Sequence, residues 1–124
     1  MSATRWDTDH QFRLDVEPER DAVRVCPCGE VDLATAGAIR EKVEEMSALG
    51  FRRVALDLRG VTFLDSAGLH LVLELLESSR DAAWEFAVVE GPADVQRVFE
   101  LAGVRSLVPF IAPTGIRYDR WSRS

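Results

Sequence analysis

Along residues 53–76 the apolar side chains change period. Val54, Leu56 and Leu58 alternate, as on one face of an extended strand, with Ala55 on the other. Leu69, Val72, Leu73 and Leu76 then recur at three- and four-residue steps, as on one stripe of a helix. The change falls on Asp65, Ser66, Ala67 and Gly68, inside "GVTFLDSAGLHLVLELL". A strand feeding directly into a helix is the repeating unit of α/β sheets, because a parallel neighbour strand is reached only through a long crossover.

The rest of the chain agrees with that unit. In "FRLDVEPERDAVRVCPCGEVD", Phe12, Leu14 and Val16 alternate, a charged turn containing Pro18 follows, and Val23 and Val25 alternate again, which predicts a hairpin. Pro27 has no N–H for a ladder, so the second strand is expected to fray or bulge there. From Thr35, read as an N-cap, the stripe Ala36, Ile39, Val43, Met46 and Leu49 predicts an amphipathic helix that Gly50 stops. "RRVALDLRGVTFL" reads as one central strand, and the helix after it as ending at the polar "ESSRDA". "WEFAVVE" is a further strand and "GPADVQRVFELAG" a helix opened by Pro92 and closed by Gly103. "SLVPFIA" is a short strand that Pro109 confines to an edge, and the tail holding Tyr118 and Trp121 is either loosely packed or a final helical turn. The expected order is ββαβαβα(β), an α/β domain with a mixed β-sheet, an N-terminal antiparallel hairpin and alternating amphipathic helices. A chain of 124 residues has enough apolar material for one such core and not for two.

Charge narrows the class of partner. A net charge of −6 is wrong for a protein that binds the phosphate backbone, because that affinity comes from Lys and Arg displacing counterions. No apolar run approaches the roughly 18 residues that cross a bilayer, and "MSATRWDTDHQF" lacks the apolar centre of a secretory signal, so neither nucleic acid nor membrane is an expected partner and the expected location is cytoplasmic.

At the strand-to-helix junction, Asp65 and Ser66 are both preferred N-caps, and on spacing alone capping explains them. A nucleophile elbow needs glycine two residues before the serine, where this chain has Leu64. His70 shares the helical face of Ser66, but no third residue is evident to orient it, so it reads as an exposed or rim residue; no spacing fits a phosphate-binding loop. Cys26 and Cys28 stand two apart on one face of a strand with no further ligands in reach of the sequence, and read as unreactive thiols rather than a metal or redox site. Asp57, within a strand, reads as a local hydrogen-bonding residue, whereas Asp32 either orients the loop into the first helix or touches a partner or its nucleotide.

Taken in order, "GEVDLATAGAIREKV", "RRVALDLRGVTFLDSAGLHLVLELL" and "WEFAVVEGPADVQRVFELAGV" resemble the STAS domain of stand-alone bacterial anti-sigma factor antagonists. The likeness spans residues 12–111, leaving an N-terminal extension, 1–11, and a C-terminal tail, 112–124. Its departure from the usual pattern is the "CPC" before "GEVD". The resemblance implies a partner-switching module with no catalysis, cofactor or metal of its own. Ser66 would be phosphorylated by an anti-sigma factor that is also a serine kinase and holds the ATP, and a PP2C-type phosphatase would reverse the step. Glu30, Asp32, Asp65, Ser66, Ala67, Gly68 and Leu69 would form the partner-binding surface, and the chain would act as a monomer or weak dimer. An alternative within the same resemblance is a structural or regulatory STAS subunit of a lipid-transport or transporter complex, in which the serine need not be modified. A small hydrolase built on Ser66 and His70 would need a hidden acid.

Overall fold

The structure, a computed structural model, describes residues 12–112. Strands β1 (Arg13–Glu19) and β2 (Ala22–Val31) pair as an antiparallel hairpin. They are followed by α1 (Leu33–Ala48), β3 (Arg53–Asp57), β4 (Val61–Leu64), α2 (Ser66–Ala82), β5 (Glu85–Val89), α3 (Ala93–Leu101), a 3-10 turn at Arg105–Leu107, and β6 (Phe110–Ile111). The sheet runs β1-β2-β3-β5-β6, with β4 on β2 beyond the end of β3, and every pairing except the hairpin is parallel. This is the expected mixed α/β sheet, with the short strand after Pro109 at its edge. The tail residues Tyr118 and Trp121, like His10, lie outside the described residues.

Three expectations need correction. "RRVALDLRGVTFL" is two strands rather than one. The chain turns at residues 58–60, where Leu58 N–H donates to the Val89 carbonyl (3.1 Å) and Val61 N–H to the Leu58 carbonyl (3.0 Å). Gly60 lets this turn nest on β2, since a Cβ there would stand 2.8 Å from Cys28 Sγ. Alternation did not reveal the break because Leu58 and Val61 on either side of it are both buried and apolar.

The second correction concerns Pro27, at which β2 neither frays nor bulges. β2 pairs with β1 through Leu14 and Pro27, and on its other edge β3 ends at Val25 while β4 begins at Gly29. Gly29 N–H donates to Gly60 on that second edge (3.0 Å), so the nitrogen two residues earlier faces the gap between β3 and β4. A missing N–H there loses no ladder bond. The register shift comes later, between Gly29 and Glu30.

Third, α2 does not stop at "ESSRDA" but runs through it to Ala82. Ser79 is buried, yet its hydroxyl donates to the Leu76 carbonyl at 2.7 Å, so the polar residue is satisfied inside the helix. The buried centre of the helix is Gly68, Leu71, Val72 and Leu75, with Leu69, Leu73 and Leu76 along its margins.

All three helices pack into one core. Val23, Val25, Val54, Leu56, Phe86 and Val88 of the sheet meet Ile39, Val43 and Met46 of α1, Leu71, Val72 and Leu75 of α2, and Val95 and Phe99 of α3. Across the sheet a smaller group, Ala22, Ala55, Ala87 and Val89, is also buried. The carboxyl ends of β2 and β4 therefore lie side by side, each followed at once by a helix.

Candidate functional site

The site begins with a register. Val31 of β2 pairs with Leu64 of β4, both buried, and the Asp65 N–H donates to the Val31 carbonyl at 3.3 Å. Asp32 and Asp65 thus each stand directly after one of two paired strand ends, and Leu33 and Ser66 each open the helix that follows.

Each aspartate caps its helix. Asp32 Oδ1 accepts from Ala34 N–H (3.0 Å) and Thr35 N–H (3.3 Å), and the Thr35 hydroxyl accepts from Asp32 N–H at 3.0 Å while lying 2.9 Å from the Glu30 carbonyl. The N-cap of α1 is therefore Asp32, not Thr35, which is the third helical residue of a capping box. Asp65 Oδ1 accepts from Ala67 N–H (2.9 Å) and Gly68 N–H (3.2 Å). Of the two candidates for the α2 cap, Asp65 fills the role and Ser66 does not.

Ser66 is the first residue of α2, exposed, and its hydroxyl has no hydrogen-bond partner among the described residues. His70, one turn on, is exposed too and makes no hydrogen bond to it. Ala67 and Leu69 are half-buried. Gly68 is buried, and a Cβ there would come 2.8 Å from Leu64 Cγ and 3.0 Å from Val31 Cγ1, so it holds the first turn of α2 tight against both strand ends. Glu30 is exposed and pairs in register with Phe63.

Asp57 stands apart from this junction as the expected local hydrogen-bonding residue. Its carboxylate accepts from Arg59 N–H (3.1 Å), Arg59 Nε (3.0 Å), Arg59 Nη2 (2.8 Å) and Arg24 Nη1 (2.8 Å), and Arg24 also reaches Glu17. Burial pushes the Asp57 carboxyl up, but the hydrogen bonds from Arg59 and then Arg24 outweigh it and hold the group below the ordinary carboxylate range. Burial first, and the Asp57 charge second, push the Cys26 thiol up to about 12, so it stays protonated. Cys28 Sγ takes a hydrogen bond from Arg13 Nη2 at 3.4 Å. Among the described residues no cluster of three His, Cys, Asp or Glu could hold a metal ion, and no helix is long and apolar enough to cross a membrane.

Sequence reasoning missed two side chains at this edge. Leu33, the first residue of α1, is 84% exposed, and Phe63 of β4 is 50% exposed. The signal for Leu33 was its place between a capping aspartate and a stripe that starts at Ala36; for Phe63 it was alternation with the buried Leu64.

The sequence profile of the STAS domain family matches residues 14–114. The chain is similar to BtrV of Bordetella bronchiseptica, which carries the provisional name of anti-sigma factor antagonist, with 33% identity over 84 residues covering 68% of this chain and 72% of that protein. It is also similar to an anti-sigma factor antagonist from Mycobacterium paratuberculosis of known crystal structure, with 27% identity, a TM-score of 0.70, and coverage of 84% and 87% of the two chains. The unphosphorylated form of the anti-sigma factor antagonist SpoIIAA shares the fold, with a TM-score of 0.67 at 23% identity over 84% of this chain and 89% of that one.

Proposed function

The chain belongs to the STAS domain family, and from that premise we propose that it is an anti-sigma factor antagonist whose binding is switched off by phosphorylation of Ser66. The observation that carries the reading is the division of labour at the junction. Asp65 caps the helix, which leaves the exposed Ser66 hydroxyl unengaged at its first position. A hydroxyl so placed can be brought to a partner's nucleotide without unwinding anything.

In the proposed switch the partner is an anti-sigma factor with serine kinase activity that holds ATP. Ser66 Oγ attacks the γ-phosphorus, the bond from that phosphorus to the β,γ-bridging oxygen breaks, ADP leaves, and the hydroxyl proton passes to a base of the partner. Hydrolysis by a PP2C-type phosphatase restores the serine. The added group carries about −1.5 to −2 charges at pH 7. A helix N-terminus tolerates that charge, so the fold survives. The neighbours Asp65, Asp32 and Glu30 are all acidic, so the surface presented to the partner changes sharply in charge and hydration.

The test is to incubate the protein with ATP and each purified serine-kinase anti-sigma factor of its source organism, then map added phosphate by mass spectrometry. One phosphate on Ser66, absent from Ser66→Ala, is the expected result. An anti-sigma factor that binds tightly yet leaves Ser66 unmodified would sink the phosphorylation switch, and binding by none would sink the antagonist reading.

A further inference from the structure

We infer that Leu33 and Phe63 are the apolar anchors through which the Ser66 surface grips its anti-sigma partner. The inference rests on the antagonist reading above and adds what the partner must present: an apolar patch, edged by hydrogen-bond donors.

Exposed apolar residues scattered singly need no explanation, but these two flank one junction, Leu33 directly after the Asp32 cap and Phe63 two residues before the Asp65 cap. Leu33 and Ser66 each lie two residues beyond Val31 and Leu64, the paired last residues of neighbouring strands roughly 4.8 Å apart, so both stand at the same rim of the sheet. Phe63, in β4, lies three residues before Ser66 and pairs with Glu30. Leu33 is 84% exposed although it opens a helix whose other large apolar residues, Ile39, Val43 and Met46, are buried. Leu49 and Leu101, also exposed, stand at the carboxyl ends of α1 and α3, at the opposite rim of the sheet, so they do not belong to the patch.

The polar groups of the same edge fit a donor-bearing partner. Asp32 and Asp65 each spend Oδ1 on a helix N-terminus, and Oδ2 of each has no partner among the described residues. Residues 29–39 and 61–70 contain neither lysine nor arginine. These two segments are therefore apolar and acceptor-rich, the nearest cation in the pairing register being Arg13 of β1, opposite Cys28, so they suit a partner that brings hydrogen-bond donors.

The anchors also explain why a phosphate would release the partner. Interface cores exclude water around a few large side chains. A phosphate on Ser66 would have to be dehydrated beside Leu33 and Phe63 whenever these are buried, and an unpaired dianion in such a place is heavily penalised. The serine is then the switch and the flanking apolar residues supply the affinity that it switches.

The experiment uses the anti-sigma factor that phosphorylates Ser66 in the assay above and measures its affinity by titration calorimetry. Leu33→Ser and Phe63→Ser are each expected to weaken binding about tenfold, and the double variant about a hundredfold, with a less negative heat-capacity change. Leu49→Ser, the same chemistry at the far rim, should bind as wild type, and thermal melts should show every variant folded at the titration temperature, with Phe63→Ser the lowest because half of that side chain is buried. Binding by the double variant within twofold of wild type, while Ser66→Asp still weakens it at least about tenfold, overturns the anchors and leaves the antagonist reading intact. Should the protein alone dimerise in sedimentation, and Leu33→Ser abolish that dimer, the patch belongs to a second copy and the inference falls. Binding by no anti-sigma factor overturns both.

Discussion

At the scale of single residues, Asp57 shows how a charge buried in a sheet is held. Its carboxylate is 4% exposed and takes four hydrogen bonds of 3.1 Å or less from two arginines. Removing one partner of a buried pair strands the others, and since Arg24 and Arg59 keep some contact with water the cost should be about 2 kcal/mol for Asp57→Asn. The sign with pH follows from the lowered folded-state pKa. Below the ordinary carboxylate value of 3.8 the unfolded chain binds a proton that the folded protein still refuses, so the stabilisation is present above that pH and is lost as pH falls through the lower folded value. Urea unfolding of both proteins between pH 7 and pH 2.5 should show a gap of about 2 kcal/mol at neutrality that closes below pH 4; a constant gap would mean that the carboxylate's charge is not what stabilises the turn. Asp57 was legible as a local hydrogen-bonding residue from its place in a strand, and Arg59 is two residues away, but Arg24 was not legible as its partner, because it sits 33 residues away in the chain. Thr35 illustrates the reverse. As a residue favoured at helix starts it was read as the cap, whereas the backbone turns one residue before Leu33 and Asp32 takes the role.

Among the elements, α2 places the serine, and its two ends are built differently. The N-terminus is fixed by Asp65 and by Gly68 pressed between Leu64 and Val31. At the C-terminus Ala83 takes the left-handed conformation, φ 61° and ψ 41°, where a Cβ is unfavourable and glycine is the usual residue. Ala83→Gly should therefore stabilise the protein by about 0.5–1 kcal/mol, the relief of left-handed strain exceeding the extra backbone entropy that glycine loses on folding. Urea denaturation checks this, and a loss of stability would mean that Ala83 packs usefully as it stands. The helix was legible from its apolar spacing, but its length was not: the serines of "ESSRDA" look like a break until Ser79 is seen bonding back to Leu76. Likewise, β3 and β4 could not be separated along the chain, because the turn between them is set by contacts with β2 and β5 rather than by its own residues.

For the molecule as a whole, the proposed switch acts on what the protein binds and leaves its fold alone. Ser66→Asp should melt within about 2 °C of wild type, since an acid in the first turn of a helix is favourable by a few tenths of a kcal/mol and Ser66 makes no contact that would be lost. Calorimetry with the anti-sigma factor should show affinity reduced at least about tenfold. Equal affinity would show that charge at this helix start is not the switch, and a large drop in melting temperature would show that it acts through the fold. The class of fold, the hairpin, the presence of the three helices and the junction at Asp65 and Ser66 are legible along the chain, because apolar periodicity and turn chemistry are local properties written into consecutive residues. Three facts come from the folded chain alone: β4 lies against β2 beyond β3, the missing N–H of Pro27 faces a gap in the ladder, and Leu33 and Phe63 stand exposed at the rim that carries Ser66. Register between strands is a relation among distant residues, fixed by the packing of the core that they bury together, and no window along the chain contains it.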